Sequence, residues 1–304
     1  MNRQKGRDKT HGEGRRACFS IVMAAALWGC MGVFLRLLTG AGLPSNAGVA
    51  LRGCLSALLY GLYLAIKEPK ALRSIPGTGT ISSAAACALL TPSGMCDFHT
   101  IQASSMAVAA VLLYTSPAFV ILLSALCFHE EDHPAKTGGA GGDLCGLRPG
   151  HGAVPPGAAV GGPRGDPVGL CAGFTYALYP IFNKLALRDY GVNTLTFYTC
   201  LFMGLSALPF SGLVQHLDRL AAPKALVGAV GISVFCCIAP NLLYNRGLRH
   251  TETGRAAILS TAEPMVAALL GVLVYHESVT LYKLAGIAAI LAAVLLMNGK
   301  GRKR

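Results

Sequence analysis

Long apolar segments separated by short polar stretches dominate this sequence. Nine segments are recognisable, at residues 17–38, 46–66, 80–98, 104–128, 168–187, 191–213, 222–246, 254–275 and 280–298. Each approaches or exceeds the roughly 20 residues that an α-helix needs to cross the hydrocarbon of a bilayer. The pattern predicts an all-α fold, a polytopic bundle of membrane helices whose first partner is the lipid bilayer.

The composition excludes other classes of protein. Of the 304 residues, 53% are hydrophobic and only 13% are charged, and the mean hydropathy is +0.52. Soluble domains are about 25% charged. A water-soluble enzyme, a disordered chain and a fibrous repeat are therefore excluded, and a chain of this length holds ten membrane helices with short loops.

The positive charge indicates the orientation. The net charge is +12, and basic residues cluster in the tails 1–16 and 299–304. The loop after the second segment carries Lys67, Lys70 and Arg73, whereas the loop after the first segment is uncharged. Cytoplasmic loops are enriched in Lys and Arg. We therefore predict a multi-pass protein of the cell membrane with both tails cytoplasmic, rather than tails that bind nucleic acid, and hence an even number of helices.

The chain contains an internal repeat. The stretch from Ala109 to Pro117 matches the stretch from Ala256 to Pro264 at an offset of 147, and both continue to a His-Glu pair, at 129–130 and 276–277. Two repeats of five helices follow, and because five is odd, the second repeat is inverted in the membrane. Inverted repeats are typical of secondary transporters.

The segment 129–167 differs from the rest of the chain. It is rich in Gly and Pro and holds Glu130, Glu131, Asp132, Asp143 and Asp166 where the repeat requires a fifth helix. If residues 131–168 are read one base out of phase, the permitted amino acids after Glu130 restore a basic loop and an apolar span. We interpret the segment as a frameshifted helix five, which predicts an inactive chain; the alternative is a genuine Gly/Pro-rich loop.

Three features together resemble the EamA family of the drug/metabolite transporter superfamily. They are Trp28-Gly29 in the first segment, the run VAAVLLYTSPAFVILLSAL in the fourth and Glu263-Pro264 in the ninth of ten helices. The resemblance implies two inverted five-helix repeats, at 17–128 (helices one to four) and 168–298 (helices six to ten). It also implies a central cavity that opens alternately to each side for a small metabolite.

Two carboxylates are candidates for proton coupling. Glu263 lies within an apolar segment, where a carboxylate is costly unless it faces a cavity or a partner. Asp97 closes the third segment and has Arg52 as a candidate partner. The alternatives are a structural carboxylate at a helix break for Glu263 and a charge at the outer interface for Asp97. Pro117 and Pro264 are expected to kink their helices.

Polar and aromatic residues at helical spacing are candidates for the cavity wall. Side chains three or four residues apart share one helix face, and polar faces of membrane helices point inward. Plain packing is the alternative for the aromatic residues. With Glu263, the predicted cavity residues are Trp28, Tyr114, Tyr176, Tyr179, Asn183, Asn241, Tyr244 and Asn245.

Two other functions remain as alternatives. His129, Glu130 and His133 spell the H-E-x-x-H pattern of zinc metalloproteases, but Pro134 disfavours the helix that this pattern needs. A non-transporting membrane subunit is the second alternative. The eleven cysteines form no C-x-x-C pair, and there is no phosphate-binding loop. We therefore predict no enzyme, no metal and no cofactor, but a secondary transporter of a neutral or zwitterionic metabolite, with a homodimer left open.

Overall fold

The computed structural model describes residues 2–72, 116–128 and 165–275, and this part of the chain is helical without a β-strand. The α-helices are α1 Asn2–Gly29, α2 Met31–Gly40, α3 Ser45–Lys67, α4 Pro69–Leu72, α5 Ser116–Phe128, α6 Gly165–Asp189, α7 Val192–Ala207, α8 Pro223–Ser233, α9 Ala239–Arg249, α10 Thr253–Ser260 and α11 Ala262–Tyr275. Two 3₁₀ segments, Leu208–Phe210 and Leu213–Ala221, follow α7, and a π-helical turn, Val234–Ile238, joins α8 to α9.

Four stretches of the described chain are long and apolar enough to cross a membrane. They are Glu13–Gly40, Ser45–Lys67, Pro223–Arg249 and Thr253–Tyr275. A fifth arises if Val192–Phe210 and Leu213–Ala221, which meet at 107°, form one broken span. The prediction of a polytopic helical membrane protein is confirmed. The ten helices remain a prediction, because the third segment (80–98), the ninth segment (280–298) and residues 129–164 lie outside the described residues.

The predicted segment bounds differ from the helices in two places. The first helix begins at Asn2, well before the predicted start of the first apolar segment at residue 17, so it includes most of the basic stretch 1–16. The segment 191–213 ends as an α-helix at Ala207, because Pro209 and the left-handed Gly212 (φ 62°) redirect the chain. Pro cannot continue an α-helix, and Gly tolerates positive φ.

Helices of the two halves of the chain pack against each other. Helix α3 packs along α7, α1 along α9, α2 along α8, and α5 against α6 and α10. Two large buried clusters result, one around Ile21 and Leu248 and the other around Leu38 and Ile232. Because lipid is as apolar as Leu, close packing and hydrogen bonds rather than the hydrophobic effect hold such helices together.

The closest approach joins α3 to α7 at two glycines. A Cβ added to Gly204 would lie 2.6 Å from the backbone nitrogen of Cys54 and 2.8 Å from the carbonyl carbon of Gly53. The two backbones are therefore in direct contact, an approach that small residues allow in membrane bundles.

Candidate substrate cavity

A small cavity lies between α1, α5, α6, α9 and the break between α10 and α11. Its lining residues are Trp28, Ser116, Pro117, Val120, Tyr176, Tyr179, Pro180, Tyr244, Ala257, Ser260, Thr261 and Glu263. Its volume is about 40 Å³, whereas ligand pockets measure about 300–1,000 Å³. This form is closed around a space that suits water rather than a metabolite.

Aromatic rings form one wall of the cavity. The rings of Trp28 and Tyr244 lie 5.3 Å apart, and those of Tyr179 and Tyr244 lie 6.1 Å apart. All three side chains are buried in the bundle. Such tilted and offset contacts between rings are favourable, so α1, α6 and α9 present one continuous aromatic surface.

Glu263 stands where the ninth predicted span breaks. Helix α10 ends at Ser260 and α11 begins at Ala262, with Pro264 in the first turn of α11. The hydroxyls of Ser260 and Thr261 donate hydrogen bonds of 2.8 and 2.6 Å to the carbonyls of Ala257 and Ile258. The helix is thus interrupted by a single turn residue, Thr261, and the half-buried side chain of Glu263 lies on the cavity wall just after it; a kink at Pro264 remains a prediction.

A ladder of buried amides runs between α6, α7 and α9. The Tyr179 hydroxyl donates to Asn241 Oδ1 at 2.6 Å, and Asn183 Nδ2 donates to Asn245 Oδ1 at 3.2 Å. Asn245 Nδ2 in turn donates to the Thr196 hydroxyl at 3.2 Å. The three asparagines were predicted to line the cavity. None of them is among its lining residues, because their amides are used to join helices.

Arg52 is a charged residue that the site prediction did not include. Its guanidinium donates to the sulfur of Met31 at 2.8 Å and lies 3.6 Å from that of Met203. Its Nε is buried without a hydrogen-bond partner among the described residues. Arg52 and Glu263 carry opposite formal charges and lie within two of the apolar spans. A lone Arg within the apolar segment 46–66 is a functional-site signal that the sequence already contained.

The offset of the internal repeat relates two of the residues that line the cavity. At the offset of 147, Ser116-Pro117 corresponds to Glu263-Pro264. Ser116, Pro117 and Glu263 line the same cavity, and α5 packs against α10. Equivalent positions of the two matched stretches therefore contribute to one cavity, a hydroxyl from one and a carboxylate from the other.

Several predicted residues lie outside the described part of the chain. They are Asp97, Tyr114 and the H-E-x-x-H residues His129, Glu130 and His133. Within the described ranges, no group of three or more His, Cys, Asp or Glu side chains is arranged to hold a metal ion.

The family and sequence comparisons with known proteins all point to membrane transporters. Residues 15–147 and 163–299 match the EamA-like transporter family, and the interval between these matches falls within the anomalous segment. An uncharacterized transporter of Archaeoglobus fulgidus is 29% identical over 278 residues, which cover 91% of this chain and 94% of that protein. The uncharacterized transporter YwfM of Bacillus subtilis is 28% identical over 137 residues, 44% of this chain and 45% of its own.

A solved structure supports the shared fold. A crystal structure with 18% sequence identity superposes with a TM-score of 0.70 and covers 94% of this chain and 98% of its own. At this identity the likeness concerns the fold alone. The matched proteins give no support to the metalloprotease alternative.

Proposed function

Since this chain belongs to the EamA-like transporter family, we propose that it moves a small neutral or zwitterionic metabolite across the membrane by alternating access, with a proton carried by Glu263. Homologous membrane transporters support the general role. The substrate class, the alternation and the coupling are our inference from the cavity.

The observation that carries the proposal is the position of Glu263. This carboxylate lies on the wall of a cavity built by helices from both halves of the chain, and the repeat-equivalent position Ser116 lines the same cavity. A carboxylate is expensive in hydrocarbon, so ionisable groups in membrane helices mark substrate or proton pathways. The helix break beside it exposes the side chain to the cavity.

The lining supports a substrate of low net charge. Rings of Trp28, Tyr176, Tyr179 and Tyr244 provide most of the wall, and Glu263 is the one charged side chain among the described lining residues. Aromatic faces bind apolar groups and cations. The carboxylate of Glu263 then recognises an ammonium or a hydroxyl group of the substrate. Once protonated, this group is neutral and no longer attracts a cation.

The closed cavity supports a cycle with at least two further forms. A space of about 40 Å³ excludes a metabolite, so the substrate enters only when the helices separate on one side. Pro117 lines the cavity from α5, and Pro264 lies in the first turn of α11, next to the turn at Thr261. Discontinuous helices at the interface between repeats are where transporters bind their substrates.

The proposal is tested in proteoliposomes that contain a pH-sensitive dye. A defined panel of neutral and zwitterionic metabolites is added outside, the internal pH is followed, and the contents are identified by mass spectrometry. The panel is run on the chain as written and on a chain with residues 131–168 in the restored frame. We expect at least one compound to enter, together with a change of internal pH, with the restored-frame chain and none with the chain as written.

Two variants separate coupling from a general loss of function. Glu263→Gln keeps the shape but cannot exchange a proton, so substrate-driven proton flux is expected to disappear. Asp218→Asn removes a carboxylate from the exposed 3₁₀ segment and should retain the flux. Undiminished proton flux in Glu263→Gln would refute the coupling, and no transport by either chain would refute the proposed function.

A further inference from the structure

A second and much larger cavity lies at one end of the bundle, away from the aromatic cavity. Its volume is about 720 Å³, and it opens between α1, α4, α7 and α9. Its lining residues are Glu13, Arg16, Ala17, Ser20, Glu68, Lys70, Ala71, Gly191, Val192, Asn193, Thr194, Arg246, Arg249 and His250. It shares no residue with the cavity around Glu263.

This cavity lies at the level where the apolar spans end. The first span begins at Glu13, the second ends at Lys67 and a third ends at Arg249, and each of these ends is at or beside the cavity. The cavity is therefore placed at the boundary between hydrocarbon and water, which is where lipid head groups lie.

The charges that line it favour an anion. Arg16, Lys70, Arg246 and Arg249 face only two carboxylates, Glu13 and Glu68. One of these acids is already engaged, because Asn193 Nδ2 donates to Glu68 Oε2 at 2.5 Å while Asn193 Oδ1 accepts from the Tyr60 hydroxyl at 3.1 Å. Because cations outnumber carboxylates in this lining, its net positive charge favours anions over cations.

The backbone at the cavity also favours an anion. Helix α7 begins there, with Gly191 as an extended N-cap that makes no side-chain capping bond. Val192, Asn193 and Thr194, the first residues of the helix, line the cavity. Their N–H groups have no acceptor within the helix, and the helix dipole places partial positive charge at this end. The fork-shaped guanidinium groups of three arginines complete a set of donors suited to phosphate.

We propose that this interfacial cavity binds the anionic phosphate of a ligand at the membrane surface. We name it the phosphate cavity. Its volume accepts a glycerophosphate head group or a small organic phosphate. The site does not depend on the proposed transport function, because none of its residues belongs to the Glu263 cavity.

The test measures ligand retention by the full chain in neutral detergent, by native mass spectrometry, together with the unfolding temperature. The probes are phosphatidylglycerol, phosphatidylcholine and inorganic phosphate. Arg246→Gln with Arg249→Gln removes two cavity cations. The control, Arg188→Gln with Lys224→Gln, removes two exposed cations outside the cavity. We expect the cavity variant to bind phosphatidylglycerol about 30-fold more weakly than the native chain, and the control to bind it unchanged.

The probes separate the two sources of phosphate. Retention of phosphatidylglycerol but not inorganic phosphate identifies a lipid head group, whereas stabilisation by inorganic phosphate alone, lost in the cavity variant, identifies a soluble phosphate. Equal losses in the cavity and control variants, or equal retention of phosphatidylglycerol and phosphatidylcholine, would overturn the proposal. If the double variant does not fold, two other measurements test the proposal. Arg16→Gln should weaken the binding of phosphatidylglycerol, and added salt should weaken its binding to the native chain.

Discussion

The hydroxyl of Tyr179 donates a 2.6 Å hydrogen bond to the side-chain oxygen of Asn241 and so ties α6 to α9 beside the aromatic cavity. Both residues are buried, and the ring of Tyr179 also stacks on Tyr244. One side chain therefore belongs both to the cavity wall and to the contacts that hold two helices together.

Tyr179→Phe keeps the ring and removes the donor. Because Asn241 Oδ1 then loses its partner inside the bundle, we expect a loss of about 1 kcal/mol in the free energy of unfolding. Tyr198→Phe is the control, since the Tyr198 hydroxyl makes a longer bond of 3.3 Å to the carbonyl of Leu72. Unfolding in a denaturing detergent measures the free energy of both variants. Equal losses would show that the Tyr179 hydrogen bond contributes no more to stability than the Tyr198 bond.

Gly204→Ala tests the contact between α3 and α7. The added Cβ meets the backbone of Gly53 and Cys54, which cannot move without separating the helices. We expect destabilisation of about 3 kcal/mol or more, or no folded protein. Gly32→Ala is matched to it, because nothing lies within 4 Å of its added Cβ and Ala favours the helix. Thermal unfolding followed by size-exclusion chromatography distinguishes them; tolerance of Gly204→Ala would contradict the backbone contact.

Lys184→Met tests a cationic cap on α9. Lys184 Nζ donates to the carbonyls of Leu248 and Thr251 at 2.6 and 2.7 Å, at the end of that helix. Because charged donors make stronger hydrogen bonds, the loss should be about 1.5–3 kcal/mol. Lys224→Met, at an exposed site in α8, should change the unfolding free energy little. Similar values for the two variants would refute the capping role.

A double-mutant cycle tests the link between Arg52 and Glu263. If the buried guanidinium and the carboxylate attract each other, Arg52→Met and Glu263→Gln should be non-additive by about 0.5 kcal/mol or more in unfolding free energy. Arg52→Met paired with Asp218→Asn is the control and should be additive. An additive Arg52–Glu263 cycle would show that the two charges do not stabilise each other in the folded bundle.

Resequencing the gene across codons 126–172 tests the frameshift. We expect one extra base near codon 131 and one missing base near codons 166–171. The restored chain should place its N- and C-terminal tags on the same side of the membrane, as labelling with an impermeant reagent reports. A confirmed sequence with both tags already on one side would contradict the interpretation and favour a genuine loop.

The hydropathy pattern predicted the helix bounds well where the need to cross the bilayer alone sets them. Ser45–Lys67 and Thr253–Tyr275 were predicted to within one residue, because an apolar run of membrane length has few other stable conformations. The residues Trp28, Tyr176, Tyr179, Tyr244 and Glu263 were predicted for the cavity and line it. The asparagines were not distinguished from them, since a polar face that points inward serves a cavity and a neighbouring helix equally well.

The sequence by itself determined the class of protein and the bounds of spans such as Ser45–Lys67, because hydropathy is a local property of the chain. The tertiary structure alone decided which inward-facing groups meet. It brought Ser116 and Glu263 to one cavity, Arg52 against two methionine sulfurs, and residues of α1, α4, α7 and α9 together around the phosphate cavity. These contacts depend on how helices distant in sequence approach one another, and spacing along a single helix carries no information about that approach.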